Sequence, residues 1–281
     1  MKTLLFLTSN FNNKLSMRSN LKVSIVIAML VGQAFTLSAQ NRNAQPQQQV
    51  PPSPSIDNYF VPASQTPARP NEDGFIGRWL LLDPIGRPNR GNTVFVDSYI
   101  REQLTKEYYP NQFKTIPKNG EKVKATVLKE PEVKFDGQRP PMGFKFPDPV
   151  PAKETLVWHT YDSKLFNVKL YRFATGNNKT RYGIIFHAVT VINCEQDIPN
   201  VRLAVGSNSA SMWWLNDEEA VILSGDRRMV MDDCVSKRIT LKKGKNILRG
   251  AVINGPGMSD FCVRFIDENG QPVKNITITC N

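Results

Sequence analysis

The segment from Ser207 to Arg228 reads SNSASMWWLNDEEAVILSGDRR and contains two adjacent tryptophans. Successive side chains of a β-strand point to opposite faces of the sheet, so Trp213 and Trp214 cannot share one face. If Leu215 lies in the core, the alternation places Trp213 in the core and Trp214 outward. An outward tryptophan has three interpretations here: a platform for a sugar ring, part of a partner interface, or packing beneath residues 118–155.

Short apolar segments flank this stretch from Leu156 to the last residues of the chain. They recur about every ten residues with alternating polarity, which predicts an all-β fold, an antiparallel β-sandwich or jelly roll. The predicted strands are FNVKLYRFA, YGIIFHAVTVI, VRLAV, SMWWL, EAVIL, RRMVM, KRITL, NILRGAVI, DFCVRFI and VKNITIT.

Three further segments precede these strands. GFIGRWLLLDPI (residues 74–85) predicts a buried strand that Pro84 stops. DSYIREQLTKEYY (residues 97–109) predicts a short amphipathic helix, with Ile100, Leu104 and Tyr108 on one face and Asp97 or Ser98 as its cap. Residues 118–155 are rich in Pro and Lys and predict a long surface loop.

The sequence predicts three regions. In residues 1–39, Arg18 and Lys22 precede an apolar run that ends in small residues. This order is typical of a signal peptide. Residues 40–73 are rich in Pro, Gln and Ser and predict a disordered linker. Residues 74–281 are expected to form a single β-sandwich domain. We therefore expect export to the periplasm or cell surface of a Gram-negative bacterium, with no membrane span after signal cleavage.

The net charge of the chain is +11, from 36 Lys and Arg against 25 Asp and Glu. Four of the basic residues lie in 1–39, which leaves 32 against 25 and a net charge of +7. The basic residues are scattered among acids, so nucleic acid is not expected as a partner.

Four cysteines, Cys194, Cys234, Cys262 and Cys280, are disulfide candidates, because an exported protein matures in an oxidising compartment. Free buried thiols are the alternative. No CxxC pair is present, so we expect no zinc site and no cofactor. A structural calcium ion on Asp232-Asp233 is left open as a minor alternative.

The sequence shows no catalytic constellation. Gly-x-Ser-x-Gly is absent, and a hydrolytic triad needs a histidine. His187 lies among apolar residues and is interpreted as a buried, hydrogen-bonded core residue. An esterase would require His159 or His187 beside Ser207, Ser209 or Ser224.

The stretch from Ser211 to Val273 resembles the galactose-binding-like β-sandwich of secreted polysaccharide-degrading enzymes. The matching features are Trp214-Leu215-Asn216, the segment from Ile239 to Leu248 with Gly244 and Asn246, and the hairpin from Phe261 to Gly270. RWLLLDPI resembles the entry strand of such modules. The stretch is also similar to N-terminal modules of proteins described as acetylxylan esterases. In those proteins the deacetylase activity resides in a separate domain, which we do not expect here.

The resemblance implies a non-catalytic carbohydrate-binding accessory module for plant-type, xylan-like polysaccharide degradation. Its partners would be a polysaccharide or oligosaccharide and other glycan-degradation proteins. A protein-interaction module of a cell-envelope glycan-handling complex is the alternative, and an acetylxylan esterase the third hypothesis. Aromatic faces stack on sugar rings while charged and amide groups bind hydroxyls. The candidate ligand-binding residues are Trp214, Asp226, Arg227, Arg228, Asn254, Trp158 and His159.

Overall fold

The computed structural model of the chain describes residues 55–88, 95–135, 141–177, 183–254 and 258–281. The predicted signal peptide and residues 40–54 of the predicted linker lie outside these residues. No helix among the described residues has the length and apolar content needed to cross a membrane.

Antiparallel β-strands are the main regular structure of the described residues. These residues also include two α-helices, α1 (Asp97–Leu104) and α2 (Leu170–Gly176), and a 3₁₀ turn at Ile56–Asn58. The strands are β1 (Phe60–Pro62), β2 (Arg78–Leu82), β3 (Ile85–Gly86), β4 (Lys122–Lys129), β5 (Val150–Ser163), β6 (Ile184–Cys194), β7 (Ile198–Ser207), β8 (Ala210–Leu215), β9 (Glu218–Leu223), β10 (Cys234–Val235), β11 (Ile239–Leu241), β12 (Gly244–Asn254), β13 (Phe261–Ile266) and β14 (Thr277–Thr279).

The strands form two sheets. In the large sheet the order is β1-β5-β2-β6-β12-β8-β9, with β3 and β14 also paired to β6 and β4 paired to β5. In the small sheet β7 pairs with β10, β11 and β13. The predicted all-β antiparallel sandwich is confirmed.

A core of buried aromatic side chains joins the two sheets. Trp79 on β2 and Trp213 on β8 both contact Phe261 on β13, each at a ring-centroid distance of 5.0 Å. The two indoles lie edge to face, 6.0 Å apart. All three side chains are completely buried. Edge-to-face packing of this kind adds about 0.5–1.5 kcal/mol per pair beyond the burial of apolar area.

The outer face of the large sheet carries a second core. Leu80, Val189 and Met212 lie on this face and are covered by α1 and by β4. Ile100 and Leu104 of α1 are completely buried here, and so are Ala125 and Val127 of β4. The large sheet is therefore buried on both of its faces.

Four local predictions were wrong in whole or in part. FNVKLYRFA contains α2 rather than a strand, and RRMVM forms no strand. The amphipathic helix is confirmed but ends at Leu104, and its N-cap is Val96, which makes no side-chain capping bond, rather than Asp97 or Ser98. Residues 118–155 are not only a surface loop, because β4 and the start of β5 pair there as a long hairpin.

Residues 55–73, assigned to a disordered linker from their composition, are ordered in the structure. β1 pairs with the end of β5, and Phe60 is buried. The backbone of Ala68 exchanges two hydrogen bonds with Ile278. The segment is ordered because it supplies an edge strand and one large buried aromatic side chain. Its low overall hydrophobicity does not reveal this contribution.

Gly250 on β12 gives a test of the inter-sheet core. A Cβ atom at this position would lie 2.3 Å from the Trp213 ring, which Trp79 and Phe261 hold in place. We expect Gly250→Ala to lower the free energy of unfolding by about 1–3 kcal/mol through overpacking. Urea unfolding of wild type and variant measures this loss.

Gly77→Ala is the matched control, because its Cβ would make an ordinary 3.4 Å contact with Ser163 O. Equal urea midpoints for the two alanine variants would contradict this account of the core.

Candidate functional site

The two adjacent tryptophans lie on opposite faces of the large sheet, as the alternation predicts. Trp213 faces the inter-sheet core and is completely buried, whereas Trp214 belongs to the outer core. Trp214 is still only 9% exposed, because the segment that follows α1 covers it. Phe113 of this segment lies with its ring centroid 5.9 Å from that of Trp214. The cover is thus residues 105–116 rather than the predicted 118–155.

A cavity of about 460 Å³ opens beside Trp214, and we call it the Trp214 pocket. It is lined by Thr105, Phe113, Lys114, Trp214, Asp217 and Arg249. These residues come from four places in the chain: the end of α1, the segment after it, the β8–β9 hairpin and β12. The volume lies within the range of about 300–1,000 Å³ that is usual for small-molecule sites.

The β8–β9 turn fixes one side of the pocket. Asn216 and Asp217 both adopt left-handed backbone conformations, with φ of 52° and 68°. A two-residue turn with both φ values positive matches the twist of a tight hairpin, and Asn and Asp tolerate it. The Asn216 side chain accepts a hydrogen bond of 2.8 Å from Ile247 N, which ties the turn to β12. The turn leaves the Asp217 side chain 71% exposed at the pocket.

Arg249 is the unusual residue of this site. It pairs with Trp214 across β12 and β8, so the two side chains are neighbours on one face. Arg249 is only 5% exposed. Its Nη2 donates to Thr115 O at 3.1 Å, while Nε and Nη1 have no hydrogen-bond partner among the described residues. The Asp217 carboxylate, 3.7 Å from Nε, is its ion-pair partner.

The charge of Arg249 is poorly solvated. Burial lowers the pKa of the Arg249 guanidinium, and the Asp217 carboxylate opposes this shift. A guanidinium nevertheless stays protonated in proteins. The site therefore holds a permanent, buried positive charge with donor nitrogens to spare.

His187 lies on β6, the strand next to β12, and faces the same side of the large sheet as Arg249. It is buried, and its Nε2 lies 3.2 Å from Gln112 Nε2, which confirms the prediction of a hydrogen-bonded core histidine. Burial lowers the pKa of His187 to about 3, and the positive charge of Arg249 contributes in the same direction. His187 is therefore neutral at pH 7 and adds no positive charge to the site.

The other predicted ligand-binding residues do not reach the Trp214 pocket. Trp158 on β5 is 1% exposed and packs in the outer core, four strands away from Trp214. His159 faces the opposite side of the sheet. Its Nε2 bonds to Asp83 at 3.0 Å, and its ring packs against Phe173.

Arg227 and Asn254 lie together at another end of the sheet. Ser209 donates its backbone N–H to Arg227 O at 3.0 Å and bonds to Asn254 Oδ1 at 3.3 Å. Asn254 is five residues from Arg249 along β12, about 17 Å at the rise of a strand. Asp226 and Arg228 flank Arg227 on an exposed loop. The structure thus brings Arg227 and Asn254 together but separates them from Trp214.

Two of the three serines of the esterase hypothesis, Ser207 and Ser209, have side-chain partners other than histidine. Ser207 Oγ lies 2.8 Å from Ser211 Oγ, and Ser209 Oγ bonds to Asn254 as described. The two histidines bond to Asp83 and Gln112. None of these four hydrogen bonds joins a histidine to a serine.

The carboxylates weighed for calcium each face an arginine. Asp232 bonds to Arg264, and Asp233 lies 3.1 Å from Arg227. The described residues contain no cluster of three or more His, Cys, Asp or Glu with metal-site geometry. The four disulfide candidates, Cys194, Cys234, Cys262 and Cys280, are all free thiols in the structure.

Comparisons with known proteins give no family for this chain. No protein-family model matches it. No curated protein matches it either. A PA14 sugar-binding domain from an RTX adhesin aligns over 72% of this chain and 96% of its own, at 7% identity and a TM-score of 0.36. The PA14 domain of the antifreeze protein MpAFP aligns over 78% of this chain and 95% of its own, at 7% identity and a TM-score of 0.35.

These similarities are too low for either domain's ligand to be transferred to this chain. The resemblance to galactose-binding-like modules has no family match behind it and stays a prediction.

The burial of His187 predicts a pH dependence of stability. The unfolded chain binds a proton at His187 below about pH 6.5, whereas the folded chain resists protonation down to about pH 3. Because the unfolded state binds more protons in this window, stability falls as the pH is lowered through it. We expect His187 to account for a loss of about 2 kcal/mol between pH 7 and pH 5.

Urea unfolding of wild type and His187→Gln at both pH values measures this contribution. The variant should lose less stability than wild type on acidification, since glutamine does not titrate. Parallel losses in the two proteins would show that His187 is not the cause.

Proposed function

We propose that this chain is a non-catalytic carbohydrate-binding module whose ligand occupies the Trp214 pocket. The observation that supports this most directly is the combination of an aromatic wall with spare hydrogen-bond donors in one cavity. Trp214 and Phe113 supply the wall, and Arg249 supplies the donors. Sugars present an apolar ring face and a rim of hydroxyls, and both kinds of surface are matched here.

Charged groups at the rim add to this match. Asp217 offers carboxylate oxygens that accept hydrogen bonds from sugar hydroxyls, and Lys114 offers an exposed ammonium. Thr105 contributes a hydroxyl oxygen that accepts, since its O–H already donates to Arg101 O at 2.6 Å. A pocket of about 460 Å³ suits one or two sugar units better than a long chain lying flat on a sheet.

The wider setting of the proposal comes from the sequence alone. The predicted signal peptide supports export, and the resemblance stated above supports a role beside enzymes that degrade plant-type, xylan-like polysaccharides. Asp226, Arg227, Arg228, Asn254, Trp158 and His159 remain predicted ligand residues, but they lie outside the pocket to which we assign the ligand.

Affinity electrophoresis tests the proposal with variants of the pocket wall. Purified protein should be retarded in a gel that contains one of xylan, acetylated xylan, pectin or mannan. Phe113→Ala should weaken that retardation at least about 5-fold, because it removes an aromatic face worth about 1 kcal/mol or more in a binding site. Asp217→Asn should also weaken it, and asparagine keeps the left-handed turn.

Arg228→Ala is the matched control, since Arg228 is an exposed residue outside the pocket. Retardation lost in Arg228→Ala and retained in Phe113→Ala would move the site to the 226–228 loop. If none of the four glycans retards the protein, the result would count against a carbohydrate-binding module for these polysaccharides.

A second candidate function, protein interaction, is favoured by the far end of the β4–β5 hairpin. Phe135, Phe144 and Phe146 pack on each other there, with centroid distances of 5.0 to 6.4 Å. Phe144 and Phe146 are 37% and 43% exposed, and Met142 is completely exposed. Contiguous exposed apolar groups of this kind mark interaction surfaces.

A photo-crosslinking residue at position 144 tests this candidate in cells. We expect one discrete crosslinked product, and none from the same residue placed at Lys237, an exposed position in the small-sheet region. Identical product patterns from the two positions would count against a specific partner at the hairpin.

A further inference from the structure

We propose that the Trp214 pocket selects acidic sugars, and that Arg249 binds the carboxylate of a uronic acid unit. This inference rests on the proposed function and adds the class of sugar that the pocket recognises. Its basis is the arrangement of charges and hydrogen-bond donors around a buried guanidinium.

Arg249 is a buried residue on a central strand of the large sheet. Its strand, β12, lies between β6 and β8 in the large sheet. Only 5% of the residue is exposed. Within the described part of the chain, only one of its three nitrogens donates a hydrogen bond, to Thr115 O. Unpaired donors on a buried charged group are costly, so the fold retains an arrangement that a ligand would complete.

The nearest carboxylate does not complete it. Asp217 Oδ1 lies 3.7 Å from Nε, which is beyond hydrogen-bond distance, and the side chain is largely solvated. With His187 neutral, the charged residues lining the pocket are Arg249, Lys114 and Asp217. They sum to a net charge of +1, which favours an anionic ligand.

A carboxylate fits the free donors of Arg249 better than a hydroxyl does. It carries a full negative charge at neutral pH, and its oxygens accept charge-assisted hydrogen bonds from a guanidinium that are about twice as strong as neutral ones. Neutral sugar hydroxyls make weaker hydrogen bonds and would leave the buried charge with the solvated Asp217 carboxylate as its ion-pair partner. Trp214, paired with Arg249 across the strands, is placed to contact the ring of the same sugar unit.

Isothermal titration of purified protein with matched pairs of oligosaccharides tests the inference. The probes are oligogalacturonide, glucuronoxylan oligosaccharide and oligoguluronate, each beside a counterpart with its carboxylates reduced to alcohols. For at least one pair, the acidic form should bind at least about 10-fold more tightly than the reduced form. Arg249→Met should abolish this preference, so that the acidic and reduced forms bind the variant with equal affinity.

Stability separates a ligand-binding role of Arg249 from a structural one. Arg249→Met removes a buried charge whose desolvation the exposed Asp217 carboxylate offsets only in part, so its urea midpoint should equal or exceed that of wild type. Arg228→Met is the matched control and should change neither midpoint nor affinity. Lys114→Ala, at an exposed position, should weaken binding of the acidic form about 3-fold and serves as an independent test if Arg249→Met does not fold.

The possible failures are distinct. If the reduced forms bind as tightly as the acidic forms, selection by charge is wrong and carbohydrate binding stands. If neutral glycans retard the protein in gels and none of the three acidic probes binds, the same conclusion holds. If neither neutral nor acidic glycans bind, both the inference and the proposed function are overturned.

Discussion

The packing of the Trp213 indole against Gly250 and Phe261 is the constraint on which the rest of the structure depends. The Trp213 ring contacts Phe261 and so joins the two sheets. It also packs over Gly250, which keeps β8 paired with β12, because only glycine leaves room for the ring at position 250. The next pair in this register is Trp214 with Arg249. The contact that builds the inter-sheet core on one face therefore also sets the geometry of the pocket on the other face.

The strand pattern was sufficient to predict the sandwich, because period-2 alternation and turn residues are local signals. Helix α2 escaped prediction, since FNVKLYRFA alternates like a strand, but the chain from Leu170 turns Phe173 and Ala174 into the inter-sheet core. Residues 55–73 were assigned to the linker for a related reason. Composition describes the average of a segment, whereas its order depends on Phe60 and on pairing with β5, which is distant in sequence.

The candidate site was predictable only in part. Alternation correctly predicts Trp214 on the outer face, and the sequence around Arg249 also carries a signal. In NILRGAVIN, positions 247, 249, 251 and 253 share one face, and arginine is the single charged residue among Ile, Arg, Ala and Ile. Phe113 and Lys114 gave no such signal, because they reach Trp214 through tertiary packing of a segment without regular structure. Asp226, Arg227 and Arg228 are close to Trp214 in sequence, but this closeness does not place them in the pocket.

A buried arginine with spare donors is hard to explain as an element of stability. A methionine or leucine at position 249 would fill the space between Val189 and Trp214 without the cost of desolvating a charge. Specification of the fold does not require the charge either, since the register of β12 is already fixed by Gly250 and by the Asn216 turn. What the guanidinium adds is a preorganised group of donors beside an aromatic ring, held rigid by strands on both sides. That combination contributes little to folding but is well suited to binding a ligand.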